Sequence, residues 1–93
     1  MAEKRAVKAN VKGRVQGVGF RYSTQRQARR LGVNGWVRNE RDGTVTVVAE
    51  GPKPAVDEML RWLNEGPGFA KVAEVTVNDY PYEARYSSFT IEP

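Results

Sequence analysis

Polar and apolar residues alternate over residues 6–15 of this chain. One face carries valine, alanine and glycine, and the other carries lysine, asparagine and arginine. A period of two residues is typical of a β-strand that is buried on one side only. From about residue 21 the period changes, because apolar or small residues recur at Phe20, Thr24, Ala28 and Leu31. This spacing predicts an amphipathic helix.

Two β-prone runs follow the helix, at residues 35–40 and 44–50. Arg41-Asp42-Gly43 separates them, and Asp-Gly between such runs indicates a hairpin. The connection from the first strand through the helix to the second strand is expected to be right-handed. The first two strands should therefore be parallel, with their carboxyl ends at the same edge of the sheet.

The second half of the chain predicts one more helix and one more long strand. Pro54 suits a first helical turn, the apolar positions reach Leu63, and Gly66-Pro67-Gly68 ends the helix. Residues 70–77 alternate again, and Phe89-Thr90-Ile91 could add a short strand. The order βαββαβ predicts an α+β, ferredoxin-like sandwich, in which an antiparallel sheet carries two helices on one face.

Length and composition narrow the class of protein. With 93 residues, 40% apolar and 28% charged, the sequence predicts one globular domain over 1–93, with 1–5 as a flexible N-terminus. The chain contains no cysteine and no histidine. Disulfides, thiolate metal sites and a phosphohistidine intermediate are therefore excluded, as is the usual general base. We expect neither a metal nor a cofactor.

Charge and hydropathy indicate the kind of partner and the compartment. The net charge of +4 favours anionic partners without identifying one. No apolar stretch approaches the roughly 18–20 residues of a membrane span, and residues 1–5 lack the apolar core of a signal peptide. We expect a cytoplasmic monomer with no membrane partner.

The chemistry is concentrated in the loop between the first strand and the first helix. Gly17 and Gly19 let backbone amides turn towards a ligand, because no Cβ blocks its approach. The helix that follows adds unpaired N–H groups and a positive dipole end. Arg21 supplies a permanently charged, forked donor that suits phosphate. These residues predict an oxyanion site, although a tight strand-to-helix connection without a ligand would look similar.

Asn39 should lie beside this loop, because it stands near the end of the second strand. It shares a strand face with Gly35 and Val37, and the sequence does not show whether that face meets the helices. A polar residue that faces water near a turn is the alternative interpretation of Asn39. Residue properties alone therefore predict an anion site with an arginine and an amide nearby.

Two segments resemble the signatures of the acylphosphatase family. Gly13 to Arg21 is similar to the first signature, and Gly35-Trp36-Val37-Arg38-Asn39, followed by Gly43, Val45 and Gly51, is similar to the second. The resemblance runs from about residue 6 to residue 91 with no departure at the motif positions, and 78–87 is its least similar part. It implies hydrolysis of acyl phosphates, which are mixed carboxylic–phosphoric anhydrides, to a carboxylate and inorganic phosphate.

The resemblance also implies the roles of individual residues. Arg21 would bind the phosphate and stabilise its developing charge, and Asn39 would orient the attacking water. The phosphate would also be bound by the backbone amides of Gln16, Gly17, Val18, Gly19 and Phe20. Inorganic phosphate would be both a product and a competitive inhibitor.

An RNA- or anion-binding module without catalysis is the alternative function. The same element order builds RNA-binding domains, which stack bases on aromatic residues of the sheet. Here the first strand presents lysines rather than aromatic residues on its polar face, and the RNA-binding signature is missing. We expect Trp62 to lie at the edge of the apolar stripe of its helix, and Tyr80, Tyr82 and Tyr86 to pack on the sheet or in a loop. The adjacent Asp57 and Glu58 should complement a helix dipole.

Overall fold

The computed structural model describes residues 3–93. Within this range the chain forms four strands and two helices in the predicted order, followed by a fifth, short strand. The elements are β1 (Lys4–Arg14), α1 (Phe20–Leu31), β2 (Asn34–Asn39), β3 (Val45–Pro52), α2 (Lys53–Glu65), β4 (Lys71–Tyr80) and β5 (Phe89–Ile91). Neither of the helices in this part of the chain is long and apolar enough to cross a membrane.

The strands form one sheet in the order β4-β1-β3-β2-β5. β1 pairs antiparallel with β3 and β4, and β2 pairs antiparallel with β3, as the sequence predicts. β5 is parallel to β2, with Phe89 opposite Gly35 and Ile91 opposite Val37. The short C-terminal strand therefore makes the sheet mixed rather than purely antiparallel.

The N-terminal segment is more ordered than the sequence predicts. β1 begins at Lys4, which pairs with Pro52, so the prediction of a flexible segment over 1–5 is wrong for Lys4 and Arg5; residues 1 and 2 lie outside the described residues. The Arg5 guanidinium contacts Asp57 at 2.7 Å and Asp79 at 2.9 Å. Asp57, which we expected to complement a helix dipole, thus ties α2 to β1.

The core lies between one face of the sheet and the two helices. Val7, Ala9 and Val11 of β1 are fully buried there. They pack in one cluster with valines of β2 and β3 and with residues of both helices, including Ala28, Met59 and Leu63. Val37 and Gly35 of β2 are buried, and Val37 belongs to this cluster. Asn39 lies on the same strand face, which is therefore the helix-facing side that the sequence left open.

Candidate active site

The loop between β1 and α1 reaches the helix through two glycines in the left-handed region. Gly17 and Gly19 both have φ +76°, a conformation in which a side chain would be strained. Gly19 is the N-cap of α1, and no side chain caps this helix or places an acidic group in its first turn. The first amides of α1 thus keep their hydrogen-bonding capacity for a ligand, and the helix dipole favours an anion there.

One pocket of about 230 Å³ brings the predicted site residues together. Asn39, from the end of β2, lines it opposite the loop and the first turn of α1. The full lining is Val15, Gly17, Gly19, Phe20, Arg21, Tyr22, Asn39 and Ile91. Gln16 and Val18, which we predicted as backbone donors, are not among the lining residues. Val18 instead packs against the core.

The Asn39 side chain holds a buried acceptor with no partner. Its Oδ1 atom is inaccessible to solvent and accepts no hydrogen bond from residues 3–93. Buried polar atoms are nearly always paired, so each exception needs an explanation. A water-sized molecule does not reach Oδ1 as the side chain stands, so a ligand or water in this pocket would supply the missing donor after a rotation of the amide.

Arg21 is exposed at the same pocket and has no competing partner. Within residues 3–93 its guanidinium forms neither an ion pair nor a hydrogen bond, whereas Arg5, Arg38, Arg61 and Arg85 all pair with carboxylates. No residue of the pocket lining is acidic. An anion that enters this pocket therefore meets positive charge and N–H donors but no carboxylate.

Gln16 has a second role that the sequence does not reveal. Its side-chain Nε2 donates to the carbonyl oxygens of Glu40 at 2.8 Å and Thr44 at 2.9 Å. These two carbonyls belong to the hairpin that follows Asn39. The loop that carries the amides is thus tied directly to the segment that carries Asn39.

The hairpin itself is held by a compact set of hydrogen bonds. The Glu40 amide donates to the Thr44 carbonyl at 2.8 Å. The Asp42 carboxylate accepts from the amide of Thr44 at 3.0 Å and from its hydroxyl at 2.6 Å. These bonds lower the pKa of Asp42, because they favour its ionised form. Asn39, the last residue of β2, therefore adjoins a well-defined turn.

Phe20 anchors the other side of the pocket in the core. Its ring is fully buried and lies 5.9 Å from the ring of Trp62, measured between centroids. Trp62 is half-buried at the edge of the core, so the expectation that it lies at the edge of the apolar stripe is confirmed. This packing fixes the first residue of α1, which lines the pocket.

The opposite face of the sheet carries aromatic residues, among them Trp36 and Tyr80. The Arg38 guanidinium lies 4.8 Å from the centre of the Trp36 ring. The indole Nε1 donates to the hydroxyl of Tyr86 at 3.2 Å. Trp36 and Tyr86 are therefore engaged within the fold, which weighs against the RNA-binding alternative.

The fold and the pocket define a class of protein, namely a ferredoxin-like α+β domain with a pocket at the carboxyl end of β1. The acylphosphatase family model matches residues 7–91. The acylphosphatase of Salinibacter ruber is 55% identical over 82% of this chain and 79% of its own length. That of Rubrobacter xylanophilus is 51% identical over 91% of this chain and 77% of its own length.

Solved structures agree with these sequence matches. The crystal structure of acylphosphatase from Bacillus subtilis superposes with a TM-score of 0.92 at 36% identity, and the match covers 96% of this chain and 99% of that one. The chain belongs to the acylphosphatase family. It is a hydrolase of acyl phosphates.

Proposed function

We propose that the pocket hydrolyses acyl phosphates by the roles that the family resemblance implies. The amides of residues 16–20 and the Arg21 guanidinium hold the phosphoryl group, and Asn39 positions the attacking water. The observation that carries this proposal is the unpartnered, buried Oδ1 of Asn39 in the same pocket as Arg21 and the uncapped start of α1. Once the amide rotates towards the pocket, a water molecule that donates to Oδ1 satisfies that acceptor and points its oxygen into the pocket.

The reaction is a single displacement at phosphorus. The water oxygen forms a bond to phosphorus, and the bond between phosphorus and the acyl oxygen breaks. The electron pair of that bond leaves with the carboxylate. A neutral amide is not a base, so the proton of the water passes to a non-bridging oxygen of the substrate's own phosphoryl group.

Positioning and charge stabilisation account for catalysis in this scheme. Phosphoryl transfer spreads charge over the equatorial oxygens, and preorganised donors stabilise that charge. Arg21 and the loop amides are such donors, and a carboxylate leaves without help from a general acid. Because these groups supply the positive charge, we expect hydrolysis to persist in the presence of EDTA.

Action as a monomer stays a prediction, which the oligomeric state in solution would test. Inorganic phosphate presents the same oxygens as the substrate and should compete for the loop amides and Arg21. The cytoplasmic location stays a prediction, which fractionation of the source cells would test.

The test is Arg21→Ala, assayed with a model acyl phosphate and with inorganic phosphate as inhibitor. We expect kcat/KM to fall by at least about 10²-fold, the loss associated with one preorganised donor, and inhibition by phosphate to disappear. Arg41→Ala is the matched control, because Arg41 is also exposed and lies outside this pocket. Near-normal hydrolysis by Arg21→Ala, or an equal loss in Arg41→Ala, would contradict the assignment.

A further inference from the structure

Two exposed apolar side chains converge on the candidate active site. Within residues 3–93 five large apolar side chains are exposed, and two of them, Tyr22 and Ile91, line this pocket. Single exposed apolar residues are common on protein surfaces. Two at the mouth of one pocket, contributed by α1 and β5, form a small apolar wall.

This wall is separate from the groups that would hold phosphate. The loop amides, Arg21 and Asn39 form the polar part of the pocket, and Val15 is almost fully buried. Tyr22 is 60% exposed and Ile91 is 36% exposed, so they supply the accessible apolar surface. An acyl group is joined to its phosphorus through one oxygen. It must therefore lie within a few bonds of the loop amides, in the pocket that Tyr22 and Ile91 also line.

The wall is preorganised. The Arg26 guanidinium lies 5.7 Å from the centre of the Tyr22 ring, one helical turn along α1. Ile91 is held by the parallel pairing of β5 with Val37, and the Glu92 amide donates to the Val37 carbonyl at 2.8 Å. A surface fixed in this way loses little conformational freedom when a ligand packs on it.

We propose that Tyr22, together with Ile91, binds the acyl part of the substrate and sets its specificity. The wall favours acyl phosphates with an aromatic or bulky apolar acyl group over small ones such as acetyl phosphate. This inference rests on the proposed function, since it assigns the second half of the same substrate. Tyr22 acts here as a specificity determinant and takes no part in binding the phosphoryl group.

The experiment compares benzoyl phosphate with acetyl phosphate, whose leaving groups are carboxylates of similar basicity. We expect Tyr22→Ala to lower the ratio of the two kcat/KM values, benzoyl over acetyl, by about five- to tenfold. Tyr22→Phe keeps the ring and should keep the ratio. Tyr82→Ala removes another exposed tyrosine outside the pocket and should leave both substrates unaffected. The inhibition constant of inorganic phosphate should be the same in all three variants.

The outcomes separate the two proposals. An unchanged ratio in Tyr22→Ala would overturn the role of Tyr22, while hydrolysis by the parent protein would leave the proposed function standing. A weaker inhibition by phosphate in Tyr22→Ala would also overturn it, because Tyr22 would then act on the phosphoryl end. If the parent protein hydrolyses neither compound, the proposed function fails, and the specificity role fails with it.

Discussion

Gln16 donates from its side chain to the carbonyl oxygen of Glu40, at 2.8 Å, across the gap between the β1–α1 loop and the β2–β3 hairpin. A second bond from the same Nε2 atom reaches Thr44 at 2.9 Å. Glu40 is the residue that follows Asn39. The Gln16 side-chain amide thus links the loop to the residue that follows Asn39, and it touches neither substrate nor water in the proposed scheme.

Gln16→Ala should therefore reduce turnover more than phosphate binding. We expect kcat to fall about tenfold, and the free energy of unfolding to fall by about 1–2 kcal/mol, because two carbonyls lose their shared donor. Gln25→Ala is the control, since Gln25 also donates to a backbone carbonyl, that of Phe89, at 3.2 Å. If Gln16 acts through Asn39, the losses in kcat of Gln16→Ala and Asn39→Ala will not add in the double variant. Additive losses would show that Gln16 acts independently.

Asn39→Ala should separate activity from stability. Its buried Oδ1 has no partner in the described part of the chain, so removing it ends an uncompensated cost of desolvation. We expect kcat to fall by about 10²-fold while the free energy of unfolding stays the same or rises by up to about 1 kcal/mol. Steady-state kinetics and urea unfolding test the two halves, with exposed Asn78→Ala as control. Equal losses in turnover and phosphate affinity would contradict a role in orienting water.

The ion pairs of Arg5 should make the stability of the fold depend on pH under acidic conditions. Hydrogen bonds from Lys53 and Arg5 lower the pKa of Asp57, and those from Arg5 lower the pKa of Asp79. The pKa values of these two carboxyls are thus lower in the native state than in the unfolded chain. Their ion pairs therefore stabilise the native state in full above about pH 4, and this stabilisation is lost as pH falls through the native pKa values. The double variant D57N/D79N should show a flatter decline of Tm with falling pH.

Glu58→Gln is the control for this experiment. Glu58 also forms an ion pair on α2, with Arg61, but at a side chain that is more exposed than that of Asp57. We expect its curve of Tm against pH to follow that of the parent protein. A double variant D57N/D79N with the parental slope would show that these two carboxylates do not govern acid unfolding.

The net charge of the protein resides on α1. Four of the 15 Lys and Arg residues lie on this helix, which has no acidic residue, so the other 11 are balanced by the 11 acidic residues. Because α1 begins at the pocket, its field should attract anionic substrates. We expect kcat/KM to fall as salt is added, and Arg29→Gln/Arg30→Gln to lower it about two- to threefold at low salt and to flatten the salt dependence.

Arg61→Gln removes a positive charge of α2 that is already paired with Glu58, and so serves as the control for charge alone. Its kcat/KM should keep the salt dependence of the parent protein. If the α1 variant and Arg61→Gln behave alike, the position of the charge is unimportant and the steering role is wrong.

The sequence predicts the parts of this molecule that local patterns determine. Alternation and helical spacing gave the elements to within a few residues, and the glycines with Arg21 indicated the anion loop. The right-handed crossover predicts that Asn39 lies near that loop, and in the structure Arg21 and Asn39 line the same pocket. Their catalytic roles stay predictions.

The features that the sequence missed depend on contacts between distant segments. A glutamine in a loop carries no signal for the two carbonyls it will meet, so the role of the Gln16 side chain was not foreseen. The sequence around Arg5 is typical of a flexible terminus. Its partners Asp57 and Asp79 lie 52 and 74 residues away, so no local pattern indicates these ion pairs. The direction of β5 likewise follows from where the chain returns after β4, which no local pattern records.

The order of the sheet also has a consequence for how the protein refolds. Arg21 follows β1 and Asn39 ends β2, but β3 lies between these two strands. The pocket therefore exists only after β3 has paired with both neighbours, and these are non-local steps of the kind that slow folding. Recovery of hydrolysis after dilution from denaturant thus reports completion of the central sheet. A circular dichroism signal of helix that returns before hydrolysis would report only the local structure of α1 and α2.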